Sequence, residues 1–323
     1  MTGGAPRLLL LTDGDMDRHA LSGHPERPER RAAAVAGVEE AARARNLVVD
    51  RPGLQEAQRE DLLRVHDVRY LDALDDWEAA GGGYLDPDTY LVAGSPRAAR
   101  LAAGAAVTGA AAVSRGEAVI AVAAARPPGH HAVADQGKGF CLLNSVAVAA
   151  SWLRAVGGIE RVGIVDWDVH HGDGTAALFA ADPTIGYAST HSSGLYPGTG
   201  SADEVGIGPG RGATWNHPLT PGSGDAEFVA AWRDDLLPAL AAFRPGAMLI
   251  SAGFDAAATD PLADLEVSPA GFGAVARMVG DLAADLAISG VTVVLEGGYD
   301  LDALRRGMAA TVSGLLDGLA GSG

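Results

Sequence analysis

Cysteine is almost absent from this chain. Cys141 is the only one in 323 residues, so no disulfide can form within the chain, and a bound metal must be held by His, Asp or Glu. Lysine is as scarce: Lys138 stands alone among 24 basic residues, a bias that reads as genomic base composition. Aromatic residues make up only 5%, which suits Ala- and Gly-rich helices packed tightly on a sheet better than a β-sandwich. No apolar run reaches the roughly 18 to 20 residues that a membrane span needs. The run Leu8-Leu9-Leu10-Leu11 is too short for a signal segment and is followed by Asp13 and Asp15, so the expected address is the cytoplasm. Positive charge is also short: 24 bases face 41 acids, for a net charge of −17. The resulting field repels phosphate backbones and anionic membranes, which argues against nucleic acid and membrane as partners. It would favour a cationic substrate, but an acidic surface serves solubility first, so charge does not choose the substrate.

What the chain does have is an apolar content of 48%, enough for a large core in one α/β domain. Short apolar runs at Leu8 to Leu11, Ala118 to Ala123, Val162 to Val165, Thr184 to Tyr187, Ala247 to Ile250 and Val291 to Leu295 read as buried strands. Stretches with helical spacing alternate with them: Arg30 to Arg45, Ser95 to Val113, Ser145 to Ala155, Ala226 to Ala242 and Ala270 to Ala287. Such alternation predicts an α/β fold, a mostly parallel multi-stranded sheet with helices on both faces. The Gly/Pro-rich stretch from Gly194 to Gly224 is the longest irregular segment and is expected to form part of a rim.

Four of the strands run directly into polar clusters. Val162 to Val165 leads to Asp166-Trp167-Asp168-Val169-His170-His171-Gly172-Asp173, and Ala118 to Ala123 leads to Arg126-Pro127-Pro128-Gly129-His130-His131. Ala247 to Ile250 leads to Ser251-Ala252-Gly253-Phe254-Asp255, and Val291 to Leu295 leads to Glu296-Gly297-Gly298-Tyr299-Asp300. If the chain stays extended, Asp166, Asp168 and His170 point to one side of it. One such group at a strand end is usually a cap. Four clusters at the carboxyl edge of a parallel sheet, where such sheets place their ligands, point to a common metal site.

The strings HPERPERR, ARPPGHHA, GFCLLNSVAVAA, VDWDVHHGDGT, YPGTG, SAGFDA followed by DPL, and LEGGYD resemble the histone deacetylase superfamily, which includes acetylpolyamine amidohydrolases and acetoin-utilisation proteins. They run in family order from His24 to Asp300. The resemblance implies an arginase/deacetylase-like fold, residues 1–323 forming one deacetylase-like catalytic domain, and a metal-dependent amide hydrolase. It implies one catalytic zinc ion held by Asp168, His170 and Asp255. His131 is then the general base that later protonates the leaving amine, and His130 an electrostatic helper, with Asp173 and Asp166 as their respective carboxylate partners. Tyr299 matches the tyrosine that donates to the carbonyl oxygen as charge develops. Phe140, Tyr196, Gly139 and Leu262 resemble the walls of a substrate tunnel, and Asp88 a rim acid. A structural potassium ion is implied at the main-chain oxygens of Asp166, Asp168, His170 and Thr190 and at Ser189.

Leu262 stands where relatives specialised for acetylpolyamines carry an acid, which favours acyl-lysine or another small acylated amine, although Asp264 and Glu266 are near enough in sequence to substitute in part. A two-manganese ureohydrolase needs further paired aspartates, and Gly253-Phe254-Asp255 supplies one. A silent acyl-binding or scaffold protein would be expected to lose Tyr299, a tandem histidine or a ligand, and none is lost. No nucleophile-elbow pattern supports a serine hydrolase. The oligomeric state is left open.

Overall fold

Strands that are apolar at every position need cover on both faces, and the fold supplies it. The computed structural model describes residues Arg7 to Gly321, so the outermost residues of the single domain read from the sequence lie outside the described residues. The described strands are β1 (Leu8–Leu11), β2 (Val49–Asp50), β3 (Gly83–Tyr84), β4 (Tyr90–Leu91), β5 (Ile120–Ala123), β6 (Val162–Asp166), β7 (Ile185–Ser192), β8 (Thr214–Leu219), β9 (Ala247–Ala252) and β10 (Val291–Leu295). Eight of them form one sheet in the order β2-β1-β5-β10-β9-β6-β7-β8, parallel at every pairing, while β3 and β4 form a small antiparallel ribbon.

The period-2 geometry of a strand divides each one between two cores. Leu8, Leu10, Ile120, Val122, Met248, Ile250, Val291 and Val293 face a core completed by helices Glu29–Ala44, Pro269–Asp285 and Leu301–Leu319. Leu9, Leu11, Ala121, Ala123, Ala247 and Leu249 face the other, completed by helices Ser95–Ser114 and Ser145–Ala155. Small residues let the helices close up. A Cβ at Gly314 would lie 2.2 Å from the carbonyl oxygen of Gly273, so the last two long helices touch backbone to backbone. No helix among the described residues is long and apolar enough to cross a membrane.

The strands differ from the apolar runs mainly at their carboxyl ends. β7 continues through Ser189, Thr190 and His191 because these polar side chains find partners inside the fold: Ser189 Oγ lies 2.9 Å from His191 Nδ1, and Trp232 Nε1 donates to Thr190 Oγ1 at 3.1 Å. The stretch from Gly194 to Gly224 is not wholly irregular, since it contains β8. That strand is half polar and carries Pro218, which an edge position tolerates. The helix expected over Ala226 to Ala242 is broken into Asp225–Ala230, a π-helical turn Ala231–Leu236 and Leu237–Phe243. The wide turn seats the fully buried Trp232 under β7.

Buried histidines give the fold an acid limit. His66 Nε2 accepts the main-chain N–H of Asn144 at 3.0 Å, and its Nδ1 donates to the carbonyl of Val133 at 3.0 Å, an arrangement that requires a neutral ring. Asn144 in turn caps helix Ser145–Ala155. Burial pushes the pKa of His66 down to about 4, and burial does the same to His19. The unfolded chain therefore binds more protons between about pH 6.5 and 4. The stability these rings contribute is complete above that window and is lost as pH falls through it, on the order of 3 kcal/mol per ring. Thermal unfolding should show a midpoint that drops steeply between pH 6.5 and 4. In His66→Gln, whose amide donates and accepts without titrating, the drop should be shallower.

Candidate metal centre and active site

The four strands with polar continuations, β5, β10, β9 and β6, are neighbours in the middle of the sheet. Asp166 is level with Ser251 of β9 and Ser189 of β7, and Leu295 is level with Ala252. Whatever follows these strands therefore meets at one edge, where strand and helix termini leave room for a ligand.

Asp168, His170 and Asp255 each offer a ligand atom there, all within 4.8 Å of one another, and no other such group occurs among the described residues. β6 ends at Asp166 and the chain bends through Asp168–His170, so the three alternate residues do not share one side as an extended chain would have it. Asp166 turns toward His130 instead. His170 Nδ1 faces both carboxylates, 3.1 Å from Asp168 Oδ1 and 3.4 Å from Asp255 Oδ2. The remaining oxygens are held by backbone: Gly297 N–H donates to Asp168 Oδ2 at 2.8 Å and Val169 N–H to Asp255 Oδ1 at 3.1 Å. Asp255 Oδ2 is buried without a hydrogen-bond donor. A buried carboxylate oxygen in that state is costly unless a cation sits against it.

Two glycines make room for the carboxylates. A Cβ at Gly297 would lie 1.9 Å from Asp255 Oδ2, and one at Gly253 would lie 2.1 Å from Asp168 Oδ2. Burial works against protonation of His170, yet the two carboxylates outweigh it and push its pKa up to about 10. With two carboxylates against one imidazole the cluster stays net negative even when His170 is protonated, and its oxygen and imidazole donors suit a divalent ion, in place of that proton, with an open position. Gly297→Ala should displace Asp255 and weaken metal binding about tenfold or more, read as zinc affinity by competition with a chromogenic chelator.

The paired histidines have different partners. His130 Nδ1 lies 3.1 Å from Asp166 Oδ2, which also accepts the Tyr187 hydroxyl at 3.0 Å. His131 Nδ1 lies 2.8 Å from Asp173 Oδ1, and Lys138 Nζ lies 2.5 Å from the other Asp173 oxygen. Burial opposes charge on His130, but Asp168 and Asp166 prevail and raise its pKa well above the ordinary value. His131 is driven the other way, down to about 3, by burial and by the neighbouring His130 charge. One ring is thus poised as a cation and the other as a neutral base.

Tyr299 is held at both ends. Its main-chain N–H donates to Asp260 Oδ2 at 2.6 Å, and its ring lies between Phe140, at 5.7 Å centroid to centroid, and the Arg30 guanidinium carbon, 4.7 Å from the centroid. Burial raises the phenol pKa, so the hydroxyl stays a donor. A pocket of about 220 Å³ leads down to these groups. Tyr299, Phe140, Tyr196, Leu262, Gly139 and Asp88 all line it, as do His130, His131, Asp168 and His170.

Several residues of the site were not singled out in the sequence. Glu296 closes β10: its Oε2 takes the N–H groups of Gly129 (2.6 Å) and His130 (3.1 Å), and its Oε1 takes the Ser251 hydroxyl at 3.1 Å. Burial pushes its pKa up to about 7. Arg30 donates to the main-chain oxygens of Gly298 and Glu296, and Glu26 pairs with both Arg30 and Arg126. An acid directly after an apolar strand was the available signal for Glu296. Arg30 and Arg126 lie within the strings HPERPERR and ARPPGHHA, but nothing in those strings marks them as buried. For the residues assigned to potassium, Ser189 lies beside Asp166 in register, and Ser189 and Thr190 are buried.

A parallel α/β sheet whose carboxyl edge gathers two carboxylates, three imidazoles and a tyrosine around one pocket defines a hydrolase with a metal-type centre. The histone deacetylase domain model matches residues 24–315. The chain is 40% identical over 299 residues to a histone deacetylase-like amidohydrolase of Pseudomonas aeruginosa, covering 92% of this chain and 78% of that one. It is 40% identical over 316 residues to histone deacetylase 15 of Arabidopsis thaliana, covering 96% of this chain and 55% of that longer protein. The solved HD domain of HDA15 superposes with a TM-score of 0.89 at 37% identity, covering 96% of this chain and 90% of that domain. The chain therefore belongs to the histone deacetylase family, with the fold of that family and the deacetylase class of hydrolase.

Proposed function

We propose that this protein removes an acyl group from the side-chain nitrogen of an acylated lysine, with one zinc ion held by Asp168, His170 and Asp255. The observation that carries this reading is the pocket of about 220 Å³, walled by Phe140, Tyr196 and Leu262 and ending at the ligand cluster and the two histidines. Apolar walls suit an aliphatic stem, and apart from the exposed Asp88 the charged groups meet only the amide at its end.

When bound, the ion supplies Lewis-acid polarisation of the carbonyl and acidifies a water. The chain's own residues do the rest. His131, neutral and fixed at Nδ1 by Asp173, takes the proton of the attacking water at Nε2 and passes it to the leaving nitrogen. His130, cationic beside Asp166, steadies negative charge as it develops. The Tyr299 hydroxyl donates to the carbonyl oxygen at the same stage. Main-chain oxygens of Asp166, Asp168, His170 and Thr190, with Ser189, would hold a structural potassium ion.

The amine is read from the rim. Asp264 accepts the Ser192 hydroxyl at 2.6 Å, and neither Asp264 nor Glu266 lines the pocket, so a second ammonium would find only Asp88 there. Acyl-lysine peptides should be hydrolysed in preference to acetylpolyamines in a panel of both assayed with zinc. Leu262→Glu should shift relative kcat/KM toward acetylpolyamines about fivefold, from the ~1 kcal/mol that a charge pair brings at a partly exposed rim. Preference for acetylpolyamines in the unaltered protein would contradict the lysine reading.

A further inference from the structure

The one lysine of the chain sits against the catalytic machinery. Lys138 Nζ lies 2.5 Å from Asp173 Oδ2, while Asp173 Oδ1 faces His131 Nδ1 at 2.8 Å. The carboxylate side chain is only 13% exposed and the lysine 24%. The next two residues, Gly139 (φ 55°) and Phe140 (φ 67°), form a left-handed turn in the pocket wall. A Cβ on Gly139 would lie 2.6 Å from His131 Cδ2, so this turn is pressed flat against the imidazole. Asp86 Oδ2 holds the same turn from outside by accepting the Gly139 N–H at 3.2 Å. One short segment thus reaches His131 twice, through its backbone on the ring and through its ammonium on the acid behind the ring.

His130 is built otherwise. Its partner Asp166 is completed by neutral donors, the Tyr187 hydroxyl at 3.0 Å and the Asp168 N–H at 3.2 Å, with no lysine or arginine on it.

We propose that Lys138 is a positioning residue for hydrolysis, acting on His131 through Asp173. The proposal rests on the deacylase reading above. A carboxylate held on one oxygen only is free to rotate about its Cβ–Cγ bond. An ammonium on the second oxygen fixes that rotation and takes up part of the charge, which keeps Oδ1 in line with Nδ1 and Nε2 aimed into the pocket. Lysine suits this place for a physical reason. Its ammonium is a compact point charge that can sit on one oxygen, whereas an arginine fork prefers both oxygens and would compete with His131. That accounts for a lysine here in a chain whose other bases are all arginine.

Four zinc-loaded proteins test it: wild type, Lys138→Met, Asp173→Asn and the double variant, each assayed on an acetyl-lysine peptide. Lys138→Met should lower kcat about tenfold with KM changed less than twofold, and should have no further effect in the Asp173→Asn background. Wild-type kcat in Lys138→Met, or a further tenfold loss in the double variant, would overturn the proposal while leaving the deacylase reading intact. Absence of hydrolysis in the wild type would overturn the deacylase reading itself, and this proposal with it. If Lys138→Met does not fold, cyanate treatment of folded wild type converts its only lysine to a neutral urea, and Asp173→Asn controls for reaction at the N-terminus. About tenfold loss of kcat in the wild type alone is then expected, and equal retention in both proteins would overturn the proposal.

Discussion

Asp168→Ala should lose hydrolysis of acyl-lysine peptides to background, at least about a thousandfold in kcat/KM, and should lose bound zinc with it. The side chain has two tasks that no neighbour can assume. Its carboxylate offers one of three ligand atoms within 4.8 Å of one another, and Oδ2 accepts the Gly297 N–H at 2.8 Å in the turn that leads to Tyr299. Alanine removes a negative charge from a buried cluster whose other members are one carboxylate and one imidazole, leaving too few donors for a tight tetrahedral site. Several kcal/mol of carbonyl polarisation vanish with the ion, which sets the thousandfold scale. Metal content by atomic emission and kcat/KM on a fluorogenic acetyl-lysine peptide should fall together. Full activity in this variant would remove Asp168 from the ligand set.

Tyr299→Phe should lower kcat by about 10²- to 10³-fold with little change in KM, the loss expected for one hydrogen-bond donor that acts in the transition state. The ring is wedged between Phe140 and Arg30 and its backbone is fixed by Asp260, so phenylalanine should occupy the same place. Zinc content and thermal midpoint should match the wild type. That separates this variant from Asp168→Ala, in which metal and activity disappear together. Unimpaired turnover would assign the oxyanion contact elsewhere.

Much of this site was legible because its chemistry lies at strand ends. An apolar run that stops at Asp166, Ser251 or Glu296 marks the edge of a parallel sheet, and the register brings those edges level. The strand order did not follow from the runs, yet it is what makes β5, β10, β9 and β6 neighbours. β8 was missed because an edge strand needs only one buried face and carries polar residues and a proline. The π-helical turn was missed because widening a helix leaves its apolar spacing nearly unchanged. The buried pairing of Glu26 with Arg30 and Arg126 was hidden for a different reason: sequence patterns mark arginine as exposed, and only tertiary contact shows that a charge is paired. Lys138 illustrates the same limit, since its rarity looked compositional until its contact with Asp173 gave it a place.

The family match and the ligand geometry together make metal dependence the claim to test most directly. The measurement is the rate of acetyl-lysine peptide hydrolysis by the purified protein before chelation, after complete removal of metal, and after return of one equivalent of zinc per chain. The rate should fall to background on chelation and recover on addition of that single equivalent. Activity that survives complete removal of metal would contradict hydrolysis at Asp168, His170 and Asp255.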